Sequence, residues 1–196
     1  MKNHKNGNEF GRSMIEMLGV LTIVGLLSVI GIYGYNRAMQ QLALNRQGQE
    51  VSDFFSGLTA YTSKTIRSTF TSTSSFVSGF EQLGYLPDSL QKSTSANTYI
   101  DYLGNSVIIV QLEGTATINI RWFYRTPEQF VNIAKNIQRF SQNISSIDLL
   151  STATTYVGDR DCTSSKRCLN AVTLSDWQTL GNTYTSGSIR IYFYRR

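Results

Sequence analysis

Two cysteines, one histidine and thirteen carboxylates bound the chemistry open to this chain. Cys162 and Cys168 are separated by Thr-Ser-Ser-Lys-Arg. That spacing is not C-x-x-C and no βαβ pattern surrounds it, so a redox pair is disfavoured. If this part of the chain lies outside a membrane, a disulfide is the expected state. It would close a short loop, stabilise the fold by about 2–3 kcal/mol on a chain-entropy estimate, and show Lys166 and Arg167 at the surface. Asp159 and Asp161 flank one residue beside Gly158 and offer two carboxylates to a calcium ion. No further acidic cluster supports them, so a solvated loop is favoured and no metal is expected. Arg190, Arg195 and Arg196 interleave with Tyr192 and Tyr194, and Trp122, Tyr124 and Arg125 are similar in type. Basic residues beside aromatics can hold single-stranded nucleic acid by charge and stacking. Aromatics packed under loops are the favoured alternative. Phosphate loop, dinucleotide fingerprint and nucleophile elbow are all absent from the sequence.

One carboxylate stands apart. Glu16 opens a run from Met17 to Tyr35 that holds no charged residue. An apolar helix of about 20 residues spans the hydrocarbon core of a bilayer. A carboxylate close to membrane depth is expensive and is generally kept for a purpose. Lys2, Lys5 and neutral His4 against Glu9 make the preceding flank basic, which places the N-terminus in the cytoplasm and the long remainder outside. A secretory signal peptide would need a small-residue cut site after the apolar core, and Ile32-Tyr33-Gly34-Tyr35 offers none. A single-pass anchor left unprocessed is the stronger competitor.

The stretch Gly11-Arg12-Ser13-Met14-Ile15-Glu16-Met17-Leu18-Gly19, running on as VLTIVGLLSVIGIYGY, resembles the processing signature of type IV prepilins. The shared features are a short hydrophilic leader ending in glycine, four residues, a glutamate and a long apolar helix. The resemblance implies cleavage by a prepilin peptidase between Gly11 and Arg12. Glu16 is then the fifth residue of the mature chain. It departs from the family at Arg12, where Phe or Met is usual and the new amine is methylated. It also lacks the mid-helix proline of many pilins. The resemblance further implies that Glu16 pairs with the new amine of a neighbouring chain and fixes axial register. Charge pairing in low dielectric is strong and orientation-dependent. Gly19, Gly25, Gly31 and Gly34, with Ser28, are small residues that let helix backbones approach closely. With the leader removed no imidazole remains, which excludes Ser–His and Cys–His nucleophiles and a His-based zinc site. The net charge then falls from +5 to +4.

The elements follow from pattern. Val51, Phe54, Phe55 and Leu58 stand at i, i+3, i+4, i+7, and Tyr61 completes an apolar stripe. Gln47, Gln49, Glu50, Ser52 and Asp53 lie between as polar positions. The spacing predicts a helix continuous from Arg12 to Thr62, about 75 Å long, with a break near Gly48 as the alternative. Residues 62–96 read as an irregular Ser/Thr-rich connector with a helical piece at Val77–Leu83 and a flexible or glycosylated run at Ser68–Ser75. Ser106–Leu112 and Thr115–Tyr124 form a hairpin about Gly114. Thr126-Pro127-Glu128 starts a helix to about Ser141, and Ile189–Tyr194 is a central strand. Thr154–Val157 and Ala171–Leu174 are weaker strands. Asp101-Tyr-Leu-Gly104-Asn105, the hairpin and the proline-started helix loosely resemble the order in type IVb pilins.

The expected fold is α+β: a long N-terminal helical spine packed on an antiparallel sheet. The expected divisions are a leader over 1–11, a helix over 12–62 with its membrane half at 12–36, and a head over 63–196. The function implied by the resemblance is a structural subunit of a type IV pilus or related filament, not an enzyme and without cofactor. Its implied partners are copies of itself, the peptidase, the assembly platform with its ATPase, and the inner membrane. The alternatives are a pseudopilin of a type II secretion-like system and a membrane-anchored module binding DNA or a host surface.

Overall fold

The computed structural model describes residues 9–64, 72–111, 117–149, 155–160, 162 and 167–194. The chain divides into two units, Met1–Leu42 and Ala43–Arg196.

Helix α1, Glu9–Lys64, supplies all described residues of the first unit. Its side chains from Met14 to Tyr35 are exposed, including fifteen large apolar ones between 54% and 73%. Thr22 Oγ1 donates to the Leu18 carbonyl and Ser28 Oγ to the Val24 carbonyl, both at 2.8 Å. Hydroxyls bonded back to the preceding turn are satisfied where no water is present.

In the second unit the predicted stripe is the floor of the core. Val51, Phe54, Phe55, Leu58 and Tyr61 are fully buried. α1 continues unbroken through Gly48. That glycine serves close approach instead: a Cβ there would lie 2.8 Å from Asn136 Nδ2 and 2.9 Å from Asn132 Oδ1. Gly57 does the same for the backbone carbonyl of Tyr85. Gln47 and Glu50, read from the sequence as polar positions, are 0% and 3% exposed. The segment that covers them arrives some fifty residues later, so no local pattern announces it.

Helix α2, Thr73–Gln82, begins four residues before the expected piece. Ser72 and Ser75 form a reciprocal capping box, so part of the serine run is a helix start rather than loose coil. The rest of that run lies outside the described residues. Among the described residues, seven strands then form one antiparallel sheet: β1 Gln91–Lys92, β2 Thr98–Ile100, β3 Ser106–Gln111, β4 Thr117–Tyr124, β5 Ile144–Leu149, β6 Thr155–Val157 and β7 Gly187–Tyr194. Their spatial order is β1-β2-β3-β4-β7-β5-β6, which puts the last strand in the centre as expected. The turn at Gly114 lies outside the described residues. Helix α3, Pro127–Gln138, is capped by Thr126 and stops before Ser141.

Ala171–Leu174 is not a strand. Leu169–Ala171 is a 3-10 turn, and helix α4, Leu174–Thr183, follows. The Thr173 hydroxyl accepts from the Asp176 amide while the Asp176 carboxylate accepts from the Thr173 amide. This reciprocal cap overrides the β propensity of Val172 and Thr173. One core joins the helices to one face of the sheet. The Phe54 ring meets Trp122 edge-on at 5.8 Å, Phe55 lies 5.9 Å from Phe193, and Trp177 packs on Phe130 and Tyr156.

Candidate functional site

The apolar helix is the first candidate. Glu16 stands exposed among Met14, Ile15, Met17 and Leu18, each at least 64% exposed. Gly11 and Arg12 fall within α1, two turns or less before Glu16. Gly19, Gly25, Gly31 and Gly34 have open space where a Cβ would be. At about 100° per residue, the first three are spaced about 120° apart around the axis. They do not form the single seam of a two-helix GxxxG contact. They open the backbone on three sides, the arrangement a helix needs when several neighbours surround it. By length and composition this helix can cross a membrane, with a mean hydropathy of 2.3 in its apolar window.

The head is held to its part of α1 by a buried polar knot that the sequence did not announce. Asp101 Oδ2 accepts from Gln47 Nε2 at 2.8 Å, from Trp122 Nε1 at 3.1 Å and from Asn105 Nδ2 at 3.2 Å. Its Oδ1 accepts from the amides of Leu103 and Asn105 at 3.0 and 2.7 Å. Five donors replace water, so the carboxylate is satisfied although 4% exposed. Nearby, Glu50 Oε2 accepts from the Tyr102 amide at 2.9 Å, while Oε1 is buried without a partner. Burial pushes the Glu50 carboxyl up; bonds from Tyr102 and Ser89 pull it back, and Asp101 and Asp53 push it up again. The clue available in sequence was the Asp101–Asn105 turn, whose aspartate bonds the amides that follow it.

Cys162 and Cys168 are joined as a disulfide, with Cα atoms 5.3 Å apart. The loop is pinned at its far end. Cys168 bridges Val157 of β6, the Val157 amide donates to the Arg167 carbonyl, and Arg167 Nη2 reaches Asp176 at 2.7 Å. Arg167 is therefore engaged by α4, and Lys166 lies outside the described residues. Asp159 accepts from Ser141 Oγ at 2.7 Å, and Asp161 lies outside the described residues. Among the described residues no group of three potential metal ligands occurs.

The basic-aromatic set divides. Trp122 and Tyr124 are buried in the core, at 0% and 3% exposure, and cannot stack on a ligand. Arg190, Tyr192 and Tyr194 face the other side of the sheet and are partly exposed, as is Arg121 beside them. Arg125 Nη2 donates to the Gly104 carbonyl at 3.1 Å. Arg195 and Arg196 lie outside the described residues.

No family model matches this sequence, and no curated protein does. Among solved structures the fold is similar to that of the type IVb pilin from Salmonella typhi, with a TM-score of 0.52 over 78% of this chain and 99% of that one. At 14% identity the likeness is one of fold. The α+β architecture expected from the sequence, a long N-terminal helix on an antiparallel sheet, is pilin-like.

Proposed function

We propose that the protein is a structural subunit of a type IV pilus or related filament, without catalytic activity of its own. One coincidence carries this reading: a pilin-like head follows a helix whose stretch from Met14 to Tyr35 is exposed and apolar on every side and bears one carboxylate, Glu16. A prepilin peptidase removes residues 1–11 and creates an amine at Arg12. The mature subunit waits in the inner membrane with its head outside. An assembly platform driven by a cytoplasmic ATPase then moves the helix from lipid to a bundle of like helices. Apolar surface exchanges one apolar surrounding for another, so little hydrophobic free energy is lost. Within that bundle Glu16 meets the amine of a neighbour, and the pairing selects one axial register.

Intact-mass measurement of the chain taken from its native membrane and from sheared surface filaments tests this. The expected mass lacks residues 1–11 and two hydrogens for the Cys162–Cys168 bond. A chain that keeps Met1–Gly11 and is found solely as separate molecules overturns the proposal.

A further inference from the structure

Within the second unit, the outer side of α1 is a ridge with a groove along each flank. The first groove, a cavity of about 370 Å³, lies between α1 and α3. Gln49 and Ser52 line it from α1, and Lys135 and Arg139 from α3 and its C-terminal cap. Hydrogen bonds close its floor: Asn132 Nδ2 donates to the Leu44 carbonyl at 2.7 Å, and Ser52 Oγ to Asn136 Oδ1 at 3.1 Å. The cationic donors stand at the rim, where Lys135 and Arg139 are exposed. Among the described residues no carboxylate lines this groove.

The second groove, a cavity of about 330 Å³, lies between α1 and the segment after α2. Asp53 and Gly57 line it from α1, and Tyr85, Pro87 and Asp88 from that segment. Both carboxylates are exposed. Among the described residues no cation lines this groove, and Lys64 Nζ stands over the Tyr85 ring at 5.7 Å. Several charges elsewhere in the head are engaged within the chain: Lys92 with Glu81 at 2.8 Å, Arg167 with Asp176 at 2.7 Å, Arg46 with the Tyr102 hydroxyl at 2.9 Å. Lys135, Arg139, Asp53 and Asp88 have no ion-pair partner among the described residues.

Two cations in one groove and two carboxylates in the other cannot meet within one chain. At about 100° per residue, the α1 positions that line the two grooves are centred about 110° apart around the helix. Between copies they can meet. We propose that the second groove of one copy docks on the first groove of the next, with Asp53 and Asp88 facing Lys135 and Arg139. This contact rests on the filament reading and names the head surfaces that such a filament joins. It pairs unlike patches, so each docked copy still offers one groove to a further copy, and the contact propagates. A two-fold dimer through either groove would set like charge against like charge. Parallel copies docked in this way turn by about 70° at each step, because the grooves are not opposite one another. Asp53 stands one helical turn beyond Gln49, so each step also climbs by at least one turn, ~5.4 Å. Turn with climb gives an open helical row instead of a closed ring. Exposed ion pairs are individually weak and screened by salt, so the contact orients neighbouring heads and adds to whatever the apolar helices contribute.

The test uses the full chain in its native cell, with filaments sheared from the surface and compared with membrane-held subunit by immunoblot. Lys135→Glu with Arg139→Glu should lower filament yield about tenfold or more, and Asp53→Lys with Asp88→Lys should do the same, because each sets like charges face to face. All four changes in one chain restore the pairing with its sign reversed and should return yield to about the native level. A role confined to the single chain would make the four changes at least as harmful as either pair. Asp88→Cys with Lys135→Cys, oxidised in sheared filaments, should give a ladder of dimers, trimers and longer species on a non-reducing gel. Circular dichroism melting of each variant in neutral detergent checks that the head is folded, and alanine replaces the reversed charge in any pair that does not fold. Native yield from a reversed or neutralised pair, no recovery on combining the reversed pairs, or a gel that shows monomer alone or stops at dimer overturns the proposal. In each of these cases the native chain still forms filaments, so the filament reading stands. A native chain that forms none overturns that reading, and this contact with it.

Discussion

At the scale of single residues the head contains two acids with opposite histories. Asp176 is half-buried at the surface, and bonds from the Thr173 amide and hydroxyl, then from Arg167, hold its carboxyl down at about 2. Its contribution to stability is present above the usual 3.8 and is lost as pH falls toward 2. Glu50 runs the other way. Its folded carboxyl sits above the ordinary 4.5 because burial disfavours the charge. The folded state therefore prefers the protonated form, and that preference is complete below 4.5 and lost as pH rises through the folded value. We expect the melting temperature of Glu50→Gln, relative to the native chain, to climb between pH 4.5 and neutrality. A difference that does not vary with pH would remove Glu50 from the account. Neither residue's role was legible beforehand. Glu50 stands next to Val51 in a helix whose period puts it at the edge of the apolar stripe, and the Tyr102 segment that covers it is 52 residues away.

At the scale of elements, what could be read was what is local. The α1 stripe, the Thr126-Pro127 start of α3 and the alternation of β7 each carry their signal within a dozen residues. α4 was missed because Val172 and Thr173 favour a strand on their own, and the cap depends on Asp176 three residues later. β5 was missed because Ser145 and Ser146 interrupt its alternation at a register shift against β7. The close approach of α1 to the Tyr85 segment is tested by Gly57→Ala. The added Cβ would land on the Tyr85 carbonyl, which is backbone and cannot swing aside. The expected loss is about 1–3 kcal/mol in urea unfolding. Gly31→Ala meets nothing in the single chain and should cost nothing there. The Cys162–Cys168 loop gives a second measure. Breaking it by Cys162→Ser with Cys168→Ser should lower stability by about 2–3 kcal/mol. A smaller loss would mean that the Arg167–Asp176 ion pair and the β6 bridge already hold the segment.

At the scale of the whole molecule, the two units carry their signal in different ways, and that is why one was easier to read than the other. The apolar stretch of the first unit, from Met14 to Tyr35, is written in composition alone: an uncharged run, the single acid Glu16 and four glycines. The head is written in long-range pairings, so its sheet order became visible only in three dimensions, and its likeness to a pilin persists at 14% identity because the pattern of layers outlasts the residues. The decisive prediction joins the two. Glu16→Ala removes one charge from an exposed position of the first unit. The subunit should still insert, fold and be cut after Gly11, since neither the apolar run nor the leader changes. Apolar helices can slide past one another at little cost, so a bundle without Glu16 has no preferred register and filaments should fail. Glu16→Gln separates charge from shape: it keeps the size and a hydrogen-bonding group, and filament yield should fall with it as well if attraction to an amine is what selects register. Sheared filaments counted by electron microscopy, beside membrane-held subunit measured by immunoblot, distinguish lost assembly from lost protein. Normal filaments from Glu16→Ala would show that shape alone aligns the helices.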